Sequence, residues 1–183
     1  MTSRTRQILA LCLGALATTS SSSAEVVDKG PAGFTIRIEQ RTTASPAAAY
    51  RALVEGLPSW WDSAHTFSGS AKNLSIDAKP GGCFCETLPA GGGVEHARVI
   101  YVEPGKVMRM QGALGPLQSS GVANALTWAF EPAAGGTTVT LTAATGGYMP
   151  GGFDKIAVLV DGVLKAQVTR LVAYADRQAT GGR

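Results

Sequence analysis

Apolar and polar residues alternate through Phe34-Thr-Ile-Arg-Ile-Glu-Gln, the two-residue period of a strand with one buried face. Ser45-Pro46 then supplies an N-cap and a first-turn proline, and Ala47 to Glu55 reads as a short helix carrying Tyr50, Leu53 and Val54 on its apolar side. Gly56 ends it, and Leu57-Pro-Ser-Trp-Trp follows as a second helical turn. The two-residue period then returns over residues 73–78, 83–88, 94–102, 106–111, 122–130 and 137–144, with Gly- and Pro-bearing turns between, and predicts six antiparallel strands. From Phe153 the spacing lengthens: Ile156, Val160, Val163, Leu164, Val168, Leu171 and Tyr174 recur mostly three or four apart, as on one long amphipathic helix. Gly162 interrupts that helix, and a close approach to the sheet or room for a ligand would explain it. The pattern is α+β, with about seven strands, two short helices after the first strand, and a long C-terminal helix.

The start of the chain has a different character. Arg4 and Arg6 precede an apolar run from Ile8 to Ala17, and a Thr/Ser tract ends in Ser22-Ser23-Ala24, whose small residues suit a signal-peptidase site. Ala17 is a second cleavage point. The run is too short for a permanent membrane span, and Leu11 stands before Cys12 where a lipidation site needs a small residue. Residues 1–24 are therefore expected to be an export signal, 25–32 a flexible lead, 33–178 one domain and 179–183 a flexible tail, in a periplasmic or secreted protein. Removing the leader leaves 14 basic residues of 16 against 13 acidic, a net charge of +1. No basic stripe remains that would argue for nucleic acid or an anionic membrane surface. Of three cysteines two remain, Cys83 and Cys85, too few to scaffold a fold.

The element order, with Ser45-Pro46, Leu57-Pro-Ser-Trp-Trp, Lys79-Pro-Gly-Gly-Cys-Phe, Val102-Glu-Pro-Gly-Lys-Val, Leu126-Thr-Trp-Ala-Phe and the apolar final helix, resembles the START/Bet v 1-like superfamily, SRPBCC, over residues 33–178. The motifs are similar to those of the branch holding Hsp90-ATPase-activator homologues and polyketide cyclases. The resemblance implies a helix-grip fold, a curved antiparallel sheet around the long helix with an apolar cavity between them. It also implies a hydrophobic or amphipathic small-molecule ligand, without a cofactor. A minority of members catalyse cyclisation, dehydration or hydrolysis. A leader argues against a cytosolic co-chaperone role.

Polar chemistry concentrates on the hairpin from Lys79 to Arg98. Alternation puts Cys83, Cys85 and Thr87 on one face and Phe84, Glu86 and Leu88 on the other. With a Pro89–Gly93 loop, Leu88 pairs with Val94, Glu86 with His96 and Phe84 with Arg98; a one-residue slip would move His96 to the cysteine face. Three readings stay open. Glu86, His96 and Arg98 form a partly exposed charge network beside cysteines that pack as small apolar residues. Alternatively, Glu86 and His96 face the cavity mouth as its polar handle, or as an acid–base pair with His96 as general base in an enzyme. In the third reading, Cys83 and Cys85 hold zinc or copper together with one or both of His65 and His96. A Cys83–Cys85 disulfide is a further alternative, although an extended strand holds their α-carbons near the distance limit.

Other ligand-wall candidates are fewer. One indole of Trp60-Trp61 closes the core, or one of them walls the pocket; His65 lies in the loop beyond. Tyr148 and Met149 sit at the joint before the final helix, at a cavity entrance or in plain core packing. No Gly-X-Ser-X-Gly elbow or phosphate loop occurs.

Overall fold

The computed structural model describes residues 23–181. The expected export signal lies outside the described residues except for Ser23 and Ala24. Eight strands form one antiparallel sheet in the order β1-β2-β8-β7-β6-β5-β4-β3. They are β1 (Ser23–Gly30), β2 (Gly33–Thr42), β3 (Leu74–Ile76), β4 (Cys83–Thr87), β5 (Gly93–Glu103), β6 (Val107–Gly112), β7 (Gly121–Ala133) and β8 (Gly136–Tyr148). Helices α1 (Pro46–Val54) and α2 (Leu57–Trp60) follow β2, and α3 (Asp154–Gly181) closes the chain. The open, curved sheet wraps its concave face around α3.

Sequence periodicity explains most of these elements. In β2 every second residue, Phe34, Ile36, Ile38 and Gln40, is buried, as alternation across a half-buried sheet requires. Ser45 caps α1 by accepting the Ala48 N–H, and Pro46 sits in its first turn. Leu164, Val168, Leu171, Val172 and Ala175 of α3 pack into the core with Trp128, Phe130 and Leu141 of the sheet. Burying each large apolar side chain contributes about 1.5–3 kcal/mol. The carboxylate of Asp176 accepts hydrogen bonds from the Thr42 hydroxyl (2.7 Å) and from the Thr43 N–H (2.7 Å) and hydroxyl (2.8 Å). That clamp fixes the C-terminal half of α3 against the β2–α1 corner.

Two expectations at the chain ends are corrected. Residues 25–32 are not a flexible lead: Ser23–Gly30 is an eighth strand, paired antiparallel with β2 and turning at Pro31-Ala32. The run was hard to read because a bulge between Val26 and Asp28 breaks its alternation. At the other end the helix continues through Ala179 and Thr180 to Gly181, where a flexible tail was expected. Gly162 is also not a close-packed site. A Cβ there would meet nothing within 4 Å, so no tight helix–sheet approach requires this glycine.

The hairpin register differs from expectation as well. Glu86 pairs with Val94 and Thr87 with Gly93, so the loop contains Leu88 to Gly92. Phe84 pairs with Ala97 and Cys85 with Glu95, and the bulge between them leaves His96 as the extra residue of β5. A bulge of this kind turns two successive side chains toward one face, and both His96 and Ala97 are buried on the inner side. Gly112 on β6 admits it: a Cβ there would lie 2.3 Å from the His96 carbonyl oxygen and 2.5 Å from the Ala97 Cα.

Candidate functional site

A cavity of about 460 Å³ opens between the inner face of the sheet and the N-terminal half of α3. Ile156, Leu159, Val160, Val163 and Leu164 of α3 form one wall. The turn at Leu114–Leu117, following β6, forms a second, and Trp61 with Ala64–Phe67 forms a third. His96 and Asn124 supply polar groups from the sheet. The volume lies within the range of small-molecule pockets, which combine apolar walls with a few placed polar groups.

Glu86 and His96 are almost completely buried, at 1% and 5% exposure, and His96 Nε2 lies 3.0 Å from Glu86 Oε2. Glu86 also accepts the backbone N–H groups of Phe67, at 3.1 Å, and Ser68. Burial pushes the Glu86 pKa upward, but hydrogen bonds from Ser68, Phe67 and His96 outweigh it and hold the carboxyl below its ordinary value. The His96 pKa is lowered because burial disfavours the imidazolium more strongly than Glu86 favours it. Phe84 and Phe67 flank the ring, with centroids 4.9 and 6.0 Å away. The neutral imidazole must donate its Nε2–H to the ionised carboxylate, which leaves Nδ1 as an unprotonated acceptor.

The loop from Asp62 to Ser70 is held at both ends. Glu86 binds its Phe67-Ser68 end. At the other end Asp62 forms an ion pair with Arg170 of α3 (3.0 Å), and Gln167 accepts the Asp62 N–H (3.0 Å) while its Nε2 faces His65 Nδ1 (3.4 Å). The Ala64 N–H and then Arg170 lower the Asp62 pKa against the effect of burial. The cavity wall is thus cross-linked to both sheet and helix.

The expected site residues separate into three groups. Trp61, His65 and His96 line the cavity. Trp60, Phe84 and Glu86 stand behind that lining: Trp60 is buried with its Nε1 donating to the Ala52 carbonyl, and Phe84 packs between Trp61 and His96. Glu86 therefore acts on the pocket through His96 and the loop. Arg98 and Tyr148 take no part. Arg98 is exposed, bound to Glu95 and the Gly81 carbonyl, and Tyr148 is 73% exposed at the end of β8. A partly exposed Glu86–His96–Arg98 network is accordingly replaced by a buried pair with Arg98 outside.

The metal reading loses its thiolates. Cys83 and Cys85 form a disulfide with α-carbons 5.3 Å apart, less than the roughly 6.6 Å of a fully extended pair. They alternate with the buried Phe84 and Glu86 and so occupy the other face of β4. No group of three or more His, Cys, Asp or Glu side chains able to hold a metal converges among the described residues.

Asn124 is the polar group that sequence reasoning missed. It is 2% exposed and lines the cavity, with its Nδ2 donating to Thr145 Oγ1 at 2.6 Å and its Oδ1 lacking any partner. Its signal was its parity: Asn124 shares the inward set of β7 with Leu126, Trp128 and Phe130. Leu114 and Leu117 were passed over because Gly, Pro and Ser surround them.

Comparison with known proteins agrees with this architecture. A family model described as polyketide cyclase/dehydrase and lipid transport matches residues 33–176. An uncharacterised protein of Rhizobium leguminosarum has a similar solved structure at 23% identity and a TM-score of 0.57, covering 87% of this chain and 99% of that one. CalU16 of Micromonospora echinospora matches at 14% identity and a TM-score of 0.52, over 90% of this chain and 89% of its own. Protein CV1439 of Chromobacterium violaceum matches at 18% and 0.53, over 78% and 96%. These likenesses concern the fold. No curated protein matches the sequence.

Proposed function

The chain belongs to the polyketide cyclase/dehydrase and lipid transport family, and from that premise we propose that it binds an apolar or amphipathic small molecule in the cavity beside α3. The observation that carries this reading is the cavity itself, walled by apolar side chains from α3, the Leu114–Leu117 turn and Trp61, with His96 and Asn124 as its buried polar groups. Simple core packing would not leave about 460 Å³ open beside a helix whose facing residues are Ile, Leu and Val. Native mass spectrometry of protein purified from its own host tests the proposal. A co-purifying organic molecule, released by Val163→Trp, supports it; protein that is ligand-free and takes up no apolar compound rejects it.

Export is part of the same proposal. It is supported by Arg4 and Arg6 before the apolar run and by the disulfide, which persists in oxidising compartments. Because β1 begins at Ser23, cleavage after Ala17 keeps the strand whole, whereas cleavage after Ala24 removes its first two residues. The intact mass of the host protein decides between these sites, and an uncleaved mass removes the proposal.

A second reading is favoured by one specific arrangement. A neutral imidazole, fixed by an ionised carboxylate and facing an apolar cavity, is suited to taking a proton from a bound substrate. His96 would be the base and Glu86 its positioning residue. If His96→Gln leaves turnover of an identified substrate unchanged, this enzymatic reading is wrong.

A further inference from the structure

The Cys83–Cys85 disulfide is poorly suited to stapling the fold. It encloses a single residue, Phe84, and a cross-link over so short a loop removes little chain entropy from the unfolded state. Both cysteines are partly exposed, on the face of β4 that points away from the core. Disulfides with solvent access are the ones that exchange most readily with outside thiols.

The bridge lies directly opposite the bulge of β5. Cys83 pairs with Arg98 and Cys85 with Glu95, so two residue steps of β4 face three of β5, and His96 is the extra residue. The two cysteine α-carbons are held 5.3 Å apart, where two extended steps would span about 6.6 Å. The short side of the bulge is thus the cross-linked side. Phe84, enclosed by the bridge, points inward and is buried, with its ring 4.9 Å from His96 and 5.5 Å from Trp61, both of which line the cavity. Glu86, the residue after the bridge, holds His96 and the loop at Phe67 and Ser68. A covalent constraint on the outer face therefore acts on the side chains that support the cavity from behind.

We propose that Cys83–Cys85 is a thiol–disulfide exchange site that takes a dithiol reductant, and that its opening shifts Phe84 and His96 and weakens binding in the cavity. The effect on binding rests on the binding proposal above; the exchange and the shift do not. A thiolate of the reductant attacks one of the two sulfurs, the Cys83–Cys85 bond breaks, and its electron pair leaves on the other sulfur, which takes up a proton. The second thiolate of the reductant then attacks the reductant's own sulfur in the mixed disulfide and releases the first cysteine, which is protonated in turn. Two electrons and two protons pass to the protein, and the dithiol departs as a cyclic disulfide. Freed of the bridge, β4 lengthens by up to about 1.3 Å between the two α-carbons, the difference from extended geometry. Close-packed side chains transmit such a change rather than absorb it, so the rings of Phe84, His96 and Trp61 repack.

Dithiothreitol, added to the folded full chain at neutral pH and followed by alkylation and peptide mapping, tests the exchange. Cys83 and Cys85 are expected to be labelled without denaturant; labelling only after unfolding overturns the exchange site. The ¹⁵N resonances of the His96 ring and of the Trp61 indole should both move on reduction while that of Trp128, in the core on β7, stays in place. Unmoved His96 and Trp61 signals overturn the coupling. The neutral dye N-phenyl-1-naphthylamine should bind the reduced chain about threefold or more weakly than the oxidised one, and equal affinity overturns the effect on binding. The double variant Cys83→Ser, Cys85→Ser should bind like the reduced chain and be indifferent to dithiothreitol; a dithiothreitol effect that persists in it overturns the proposal. Reduced native protein carries the same comparison if the variant does not fold. Should the oxidised chain bind no dye, the binding proposal falls by itself, and the labelling and the His96 and Trp61 signals still decide the exchange and the shift.

Discussion

His96 and Glu86 meet 3.0 Å apart inside the β4–β5 hairpin only because a bulge makes His96 the extra residue of its strand. Without the bulge, inward and outward positions alternate and one of His96 and Ala97 faces solvent. The bulge brings the imidazole to the cavity while its partner carboxylate stays behind it, fastened to the loop at Phe67 and Ser68. One glutamate thus orders both the polar floor and one wall of the pocket.

Removing that carboxylate should loosen both. Glu86→Ala leaves the buried ring N–H of His96 and the part-buried backbone N–H groups of Phe67 and Ser68 without their acceptor, and a loss of about 2–4 kcal/mol is expected in urea unfolding. Glu86→Gln, which keeps one acceptor oxygen, should cost less but release the His96 tautomer, visible in its ¹⁵N shifts. A Glu86→Ala change below about 0.5 kcal/mol, the scale of an ordinary surface substitution, would show that the pair does not hold the loop.

Acid should destabilise the fold in two stages. The folded pKa of His96 lies below its ordinary value of 6.5, so the unfolded chain binds more protons there and stability falls as pH drops below about 6.5. Glu86 is also depressed, from 4.5; its contribution is complete above that value and is lost as pH falls through the folded pKa. Urea midpoints measured from pH 8 to pH 3 should decline in both windows, and His96→Gln should flatten the upper one. A flat profile between pH 7 and pH 5 in the native chain contradicts the buried neutral imidazole.

Two glycines should respond oppositely to alanine. At Gly112 the added Cβ runs into the His96 carbonyl and the Ala97 Cα, so Gly112→Ala should destabilise by about 1–3 kcal/mol and disturb the bulge. Gly162 lies within α3 with open space around it, and Gly162→Ala should stabilise by up to about 1 kcal/mol through helix propensity alone. Thermal unfolding of the two variants checks both signs at once.

Periodicity reveals much of this fold and part of its site. Alternation in Phe34–Gln40, the turn residues between later strands, and the longer spacing after Phe153 are local signals, and each matches an element. The separation of Cys83 and Cys85 from Phe84 and Glu86 follows from the same rule. The register of the hairpin does not, because a bulge inserts one residue without altering local composition; the glycine that admits it, Gly112, lies on another strand. The first strand was concealed in the same way by a bulge near Val26. Asn124 was readable as a polar residue at an inward position, but that observation gains meaning only once a cavity is seen opposite it. The Trp60-Trp61 pair resolves into one core indole and one wall, a division that depends on α2 ending between them.

The most direct measurement of the central claim is a fluorescence titration with the neutral apolar dye N-phenyl-1-naphthylamine, run in parallel on the native chain and on Val163→Trp, whose indole would fill the cavity from α3. Saturable binding at one site in the native protein, weakened at least tenfold in a variant that remains folded, is the predicted result. Binding that is undetectable in the native chain, or equal in the two proteins, would contradict a ligand cavity beside α3.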